Sequence, residues 1–198
     1  MSAAATPLLE PSRAWSLPYR GTVGMACLII AESSIFTIFF VAYLFYLGKD
    51  LSGPTPREIL EMPIFYTICL LSSSITVHFA ARALHLAQRS IFIGLWLLTF
   101  ILGGLFIFGT GQEWHRLIYE RNFTIATNLF GTTYYSLVGL HATHVVVGLI
   151  MLFIVLLFAI AGRVGKEHSG RVETLALYWH FVDCVWVVVF TVVYIVGR

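Results

Sequence analysis

Five long apolar runs decide what this chain can fold into. They cover about 22–47, 64–85, 91–112, 132–161 and 175–196. About 20 apolar residues in helical form cross the roughly 30 Å hydrocarbon core of a bilayer. Lipid offers no hydrogen-bond partner to backbone amides, so only helices or closed barrels cross it. The alternating apolar and polar pattern of a barrel strand is absent from these runs. The expected architecture is therefore all-α: a single polytopic bundle of five transmembrane helices over residues 1–198. Composition agrees, because 59% of the residues are hydrophobic and only 11% are charged, against about 25% charged in soluble domains. The net charge of +2 is too small to suggest a nucleic-acid partner.

Residues 1–21 carry Pro7, Pro11 and Pro18 with Arg13 and Arg20, and lack the apolar core of a signal peptide. They read as an arm on the membrane surface, with Trp15 and Tyr19 at headgroup level. An odd number of spans puts the termini on opposite sides. With the N-terminus inside, the inner face collects Arg13, Arg20, Arg82, Arg89, Arg163, Lys166 and Arg171. The outer face collects Lys49, Arg57, Arg116, Arg121 and Arg198. Seven cations against five favour N-in, C-out by the positive-inside rule.

Ionisable groups within the spans are the candidate functional residues, since they are costly to insert and normally face protein or water. The last span holds YWHFVD, Tyr178 to Asp183. His180 and Asp183, at i and i+3, share a helix face, which puts the carboxylate within reach of the ring. That pair is either a polar clamp between helices or a proton or cofactor site. Trp179 and Trp186 bracket a neighbouring face. Glu32 stands near the middle of the first span, where an anion is costly and a neutral acid serves as a hydrogen-bond donor. It reads equally as a satisfied core acid or as a functional one. In the second span, the hydroxyls of Ser72 to Thr76 are expected to bond back to the helix or across to a neighbour. His78 and Arg82 read as a helix end reaching the headgroups, with the arginine snorkelling.

The third span contains Gly103 and Gly104, which permit close helix approach. It ends in GQEWHRL, placing Glu113, Trp114 and His115 at the interface. In the fourth span, His141 and His144 share a face at i and i+3, and Gly148 continues it. The glycine leaves room for a backbone or a flat group. Two histidines raise the question of metal or haem, yet neighbours on one helix do not by themselves form a bis-histidine haem site. Buried, hydrogen-bonded histidines are the expectation. Cys27, Cys69 and Cys184 each lie in an apolar run with no CxxC pair, which leaves no zinc or redox motif. The polar turn before the last span is basic and ends at Glu173.

These stretches together resemble subunit III of the haem-copper respiratory oxidases, in the short five-helix form found in bacteria. The resemblance runs from Gly24 onward. GMACLIIAESSIFTIFFVAY resembles the family helix with a buried acid and an aromatic run. GQEW resembles its Glu-aromatic helix end, and GTTYYSLVGLHATHVVVG its segment with paired histidines. ETLALYWHFVDCVWVVVFTVVY resembles its last helix. The resemblance implies a multi-pass subunit of the bacterial plasma membrane without a redox centre or metal of its own. It implies docking beside subunits I and II, whose haems and copper carry out oxygen reduction with cytochrome c as electron source. A small subunit IV and a respiratory supercomplex are further expected partners. It also implies support of proton uptake and binding of phospholipid in a cleft. The longer mitochondrial form has seven helices, and the two lacking here make one wall of that cleft.

Carried over, the family's buried polar positions fall on Glu32, Glu113, His141, His144, Glu173, His180 and Asp183. Lipid or subunit contacts are expected at Trp114, Tyr178, Trp179, Trp186 and Arg82. Alternatives are subunit III of a quinol oxidase, an accessory subunit of a nitric oxide reductase, a haem-binding electron carrier and a small transporter. Internal repeats and broken helices, frequent in transporters, are absent from the sequence.

Overall fold

The structure, a computed structural model, describes residues 20–49 and 59–197. The greater part of the N-terminal arm lies outside the described residues. Among the described residues, five helices are long and apolar enough to cross a membrane. They are α1 (Arg20–Tyr46), α2 (Ile64–His85), α3 (Arg89–Tyr119), α4 (Leu129–Ile160) and α5 (Ser169–Phe190). A 3-10 turn, Lys166–His168, leads into α5, and a wide π turn, Thr191–Val196, continues it.

Helices outrun the apolar runs because membrane thickness limits the apolar segment and not the helix. Thus α3 continues past Gln112 to Tyr119. There Asn122 adopts a left-handed φ of 51°, and Phe123 N–H returns to the Leu117 carbonyl at 2.9 Å. At the other end of α4, Gly162 (φ 82°) closes the helix, with Arg163 N–H on the Phe158 carbonyl at 2.9 Å. Arg89 adds its guanidinium to the Ala159 carbonyl at 2.7 Å, a cation at the negative end of a helix. Asn128 begins α4 by accepting the Gly131 N–H at 2.8 Å.

The tight turn through Ala87 (φ 58°) makes α2 and α3 the most extensively packed pair. Helix α5 packs on α2, α4 and α1, and α4 also packs on α3 and α1. The bundle therefore closes around α5, whose Trp179, Trp186, Val182 and Val189 are all at most 1% exposed. By contrast, only Phe36 and Tyr43 of α1 are fully buried.

Indole N–H groups join the helices. Trp179 donates to Ser73 Oγ at 2.8 Å, Trp186 to Thr67 Oγ1 at 3.1 Å and Trp96 to the Leu152 carbonyl at 2.9 Å. Small residues make room for the rings. A Cβ on Gly148 would lie 2.7 Å from the Trp179 ring, and one on Gly103 would lie 2.8 Å from it. The flat group expected beside Gly148 is thus an indole from α5. Gly103 serves the same ring and not a helix backbone, whereas Gly104 faces open space. The hydroxyl run of α2 bonds in both directions. Ser73 donates to the Leu70 carbonyl, while Thr76 meets Thr99 of α3 at 2.7 Å.

Candidate functional site

Among the described residues, two polar sites within the bundle lie on opposite sides of α5. The first joins α1 to α4. Helix α4 turns His144 toward α1, and its ring packs on Phe36 with centroids 5.0 Å apart. Nδ1–H donates to the Leu140 carbonyl at 2.8 Å, which leaves Nε2 facing Glu32 Oε2 at 3.2 Å. One proton between these atoms satisfies both, either as a neutral acid donating to a neutral ring or as an ion pair. Tyr178 of α5 donates to the His144 carbonyl at 3.1 Å and joins the third helix. Glu32 is half-buried and borders a cavity of about 310 Å³, otherwise lined mainly by apolar groups such as Leu28, Val147 and Met151.

The second site joins α2 to α5. His180 and Asp183 do share a face, as their spacing predicts, but no hydrogen bond joins them directly. Ser74 of α2 stands between them. Its hydroxyl meets His180 Nδ1 at 2.9 Å and donates to Asp183 Oδ2 in a very short hydrogen bond. Both side chains point at α2, and the hydroxyl is small enough to fit between them. Asp183 is 3% exposed, and its Oδ1 has no hydrogen-bond partner. Beside this triad a groove of about 440 Å³ runs to the end of α2, lined by His78, Arg82, His85, Glu173 and His180 among others. His78 and Arg82 therefore line a groove between helices, where the sequence suggested a simple headgroup contact. The His78 and His180 ring centroids are 6.4 Å apart. Glu173 is exposed, contrary to the buried position expected of it, and pairs with His85 at 2.5 Å.

The remaining candidates fall elsewhere. Glu113 accepts the Tyr194 hydroxyl at 3.1 and 3.2 Å, and Tyr134 stands behind at 3.5 Å. The π turn brings Tyr194 to this position. Beyond it, Arg116 pairs with Glu61 at 2.7 Å. His141 is fully buried, stacked on Trp186 at 5.0 Å with Phe106 at its edge, and neither ring nitrogen has a hydrogen-bond partner. The expectation of a hydrogen-bonded His141 is therefore corrected: aromatic stacking holds it. Tyr178, Trp179 and Trp186 were expected at lipid or subunit contacts, but their rings turn inward, at 3%, 0% and 1% exposure. Trp114 also packs inward, edge-on to Tyr135 at 5.3 Å and against Gly139.

Sequence reasoning missed Ser74, His85, Tyr194 and Tyr134 as partners. Ser74 had a signal in the hydroxyl run of α2. The tyrosines had none, since aromatics populate every span. The donor geometry offers little to a haem. Both nitrogens of His144 are engaged, and His141 is sealed between rings. Among the described residues, no group of three His, Cys, Asp or Glu side chains is arranged to hold a metal ion.

Comparison with known proteins matches residues 19–198 to the family described as cytochrome c oxidase subunit III. Cytochrome c oxidase subunit 3 of Alkalihalophilus pseudofirmus is 32% identical over 84% of this chain and 82% of its own length. Cytochrome bo(3) ubiquinol oxidase subunit 3 of Pseudomonas aeruginosa is 33% identical over 85% of this chain and 81% of its own. Cytochrome c oxidase subunit 3 of the trout Oncorhynchus clarkii is 35% identical over 72% of this chain, a match that takes in 53% of the fish protein.

Proposed function

Because the chain belongs to the cytochrome c oxidase subunit III family, we propose that it is the non-catalytic third subunit of a haem-copper terminal oxidase. It docks beside subunits I and II, keeps the catalytic subunit productive and supports its proton uptake. The haems and copper reside in those partners, and oxygen is reduced there. A small subunit IV and a supercomplex complete the assembly, phospholipid fills the surfaces left open, and the bacterial plasma membrane is the location. Cytochrome c is the proposed electron source. The bo(3) relative, as similar as the cytochrome c oxidase relative, supports quinol as a second reading.

The observation that carries this reading is how the interior polar groups are used. Ser73, Thr67, Thr76 and Thr99 tie helices together, and His144 is held by Leu140 and Glu32. Such bonds hold a scaffold in shape. They do not surround a substrate or a cofactor. Meanwhile α1 leaves Ile30, Ile38 and Val41 at 60–68% exposure on an apolar flank.

Gentle purification through a tag on this chain tests the proposal. Haem-copper subunits I and II are expected to accompany it, with haem absorption in the complex and none in the isolated chain. Oxidation of reduced cytochrome c or of quinol by that complex then assigns the electron source. Haem absorption retained by the isolated chain overturns the reading in favour of an electron carrier.

A further inference from the structure

We propose that the groove between α2 and α5 is an aqueous inlet that exchanges protons between one membrane surface and Asp183, through His180 and Ser74. The inference rests on the proton-supporting role above and adds a site and a route to it.

Three observations support the route. The groove opens at the ends of α2 and α5 that carry His85 and Glu173, a pair that is 42% and 57% exposed. It extends inward past Arg82 and His78 to His180, over a low floor that includes Ala81. Its volume of about 440 Å³ holds on the order of ten waters at about 30 Å³ each, and His78, Arg82 and His180 offer them partners along an otherwise largely apolar wall. Ser74 lies 11 residues before His85 on α2, so the triad sits about 16 Å inward at 1.5 Å per residue. That depth is near the middle of a hydrocarbon core about 30 Å thick.

Second, the hydrogen bonds run in one direction. With Asp183 ionised, Ser74 O–H donates to Asp183 Oδ2; the hydroxyl has no second proton, so its oxygen accepts from His180 Nδ1–H. A proton accepted at His180 Nε2 from a hydronium ion in the groove releases water and frees the Nδ1 proton. That proton binds Ser74 Oγ as the serine's own proton passes to Asp183 Oδ2. Three bonds to hydrogen form and three break, and no other reactant is consumed. Release retraces the same steps, so one proton is stored and returned.

Third, Asp183 is built to accept it. The residue is 3% exposed, and Oδ1 is buried without a hydrogen-bond partner. An anion in that position is costly, while a neutral acid is not. The Glu32–His144 pair lies on the other side of α5 and forms a separate unit.

The test uses the full chain with whatever partners it retains on purification. In a background lacking Cys27, Cys69 and Cys184, Ala81→Cys reports the groove floor and Phe79→Cys reports the lipid side. A charged, membrane-impermeant thiol reagent is expected to label Ala81→Cys and to spare Phe79→Cys. Infrared spectra in heavy water, differenced against Asp183→Asn, isolate the carboxylic-acid band of Asp183. That band is expected to shift rapidly on exchange. Ser74→Ala should lose the fast phase, and Ser74→Thr, which restores the hydroxyl, should regain it.

Fast exchange that survives Ser74→Ala, or an unreactive Ala81→Cys in a folded chain, overturns the inlet. Neither readout depends on which subunits accompany the chain. Failure here therefore leaves the subunit assignment standing, and failure of co-purification leaves the inlet standing.

Discussion

Trp179 is fully buried in an aromatic-rich core, and glycines on two different helices make its position possible. An alanine at 148 would place Cβ 2.7 Å from the ring, closer than carbon atoms approach without displacement. Gly148→Ala is expected to destabilise the chain by about 1–3 kcal/mol, the usual cost of overpacking. Gly104→Ala has open space before it and should cost nothing, since alanine is also the better helix former. Thermal unfolding of the two variants in one detergent separates them. Glu32 supplies a second contrast. Glu32→Gln retains shape and a donor toward His144, so initial oxidase turnover should remain near that of the parent. Glu32→Ala removes the contact with the ring that packs on Phe36. It should shorten the time over which the complex survives turnover more than it lowers the initial rate, as followed by oxygen consumption. Loss of the initial rate in an assembled Glu32→Gln complex would place Glu32 on an obligatory proton path. Gly148 itself was readable from sequence, because a small residue one turn beyond His144 demands a close neighbour. Which neighbour was not readable, for Trp179 comes from another helix.

The same limit governs whole elements. Apolar length without strand-like alternation identified five helices, since lipid admits only helices or closed barrels. Their facing stayed hidden, because helices apolar on all sides carry no periodic stripe to show which side meets protein. Thus His180 and Asp183 were read as partners from their spacing, while the hydroxyl that joins them belongs to α2. His78 and Arg82 looked like a simple helix end, since nothing local shows that α5 lies alongside. Helix ends were more legible where they use backbone chemistry. Asn128 caps α4 through the Gly131 N–H. Asn128→Ala should cost about 1 kcal/mol and loosen the first turn of α4, seen as faster hydrogen exchange at Gly131.

At the scale of the whole molecule, we propose that the five helices cross the membrane in turn, so that the two ends lie on opposite sides with the N-terminus inside. Tags at both ends, exposed to a protease that cannot cross the membrane, should show cleavage of the C-terminal tag alone from the outside. Protection of both tags, or cleavage of both, would refute an odd number of crossings. The slender attachment of α1 also bears on how the chain is made. α1 packs on α4 and α5, and Glu32 meets a histidine 112 positions further along. Synthesis runs from the N-terminus, so α1 enters the membrane before α4 and α5, the helices that complete its packing. During that interval Glu32 has no histidine, and α1 stands in lipid as a solitary span. A chain halted after α3 should therefore leave α1 open to cross-linking with lipid or with the insertion machinery along the flank that carries Glu32 and Phe36. That cross-link should disappear once α4 and α5 have been added.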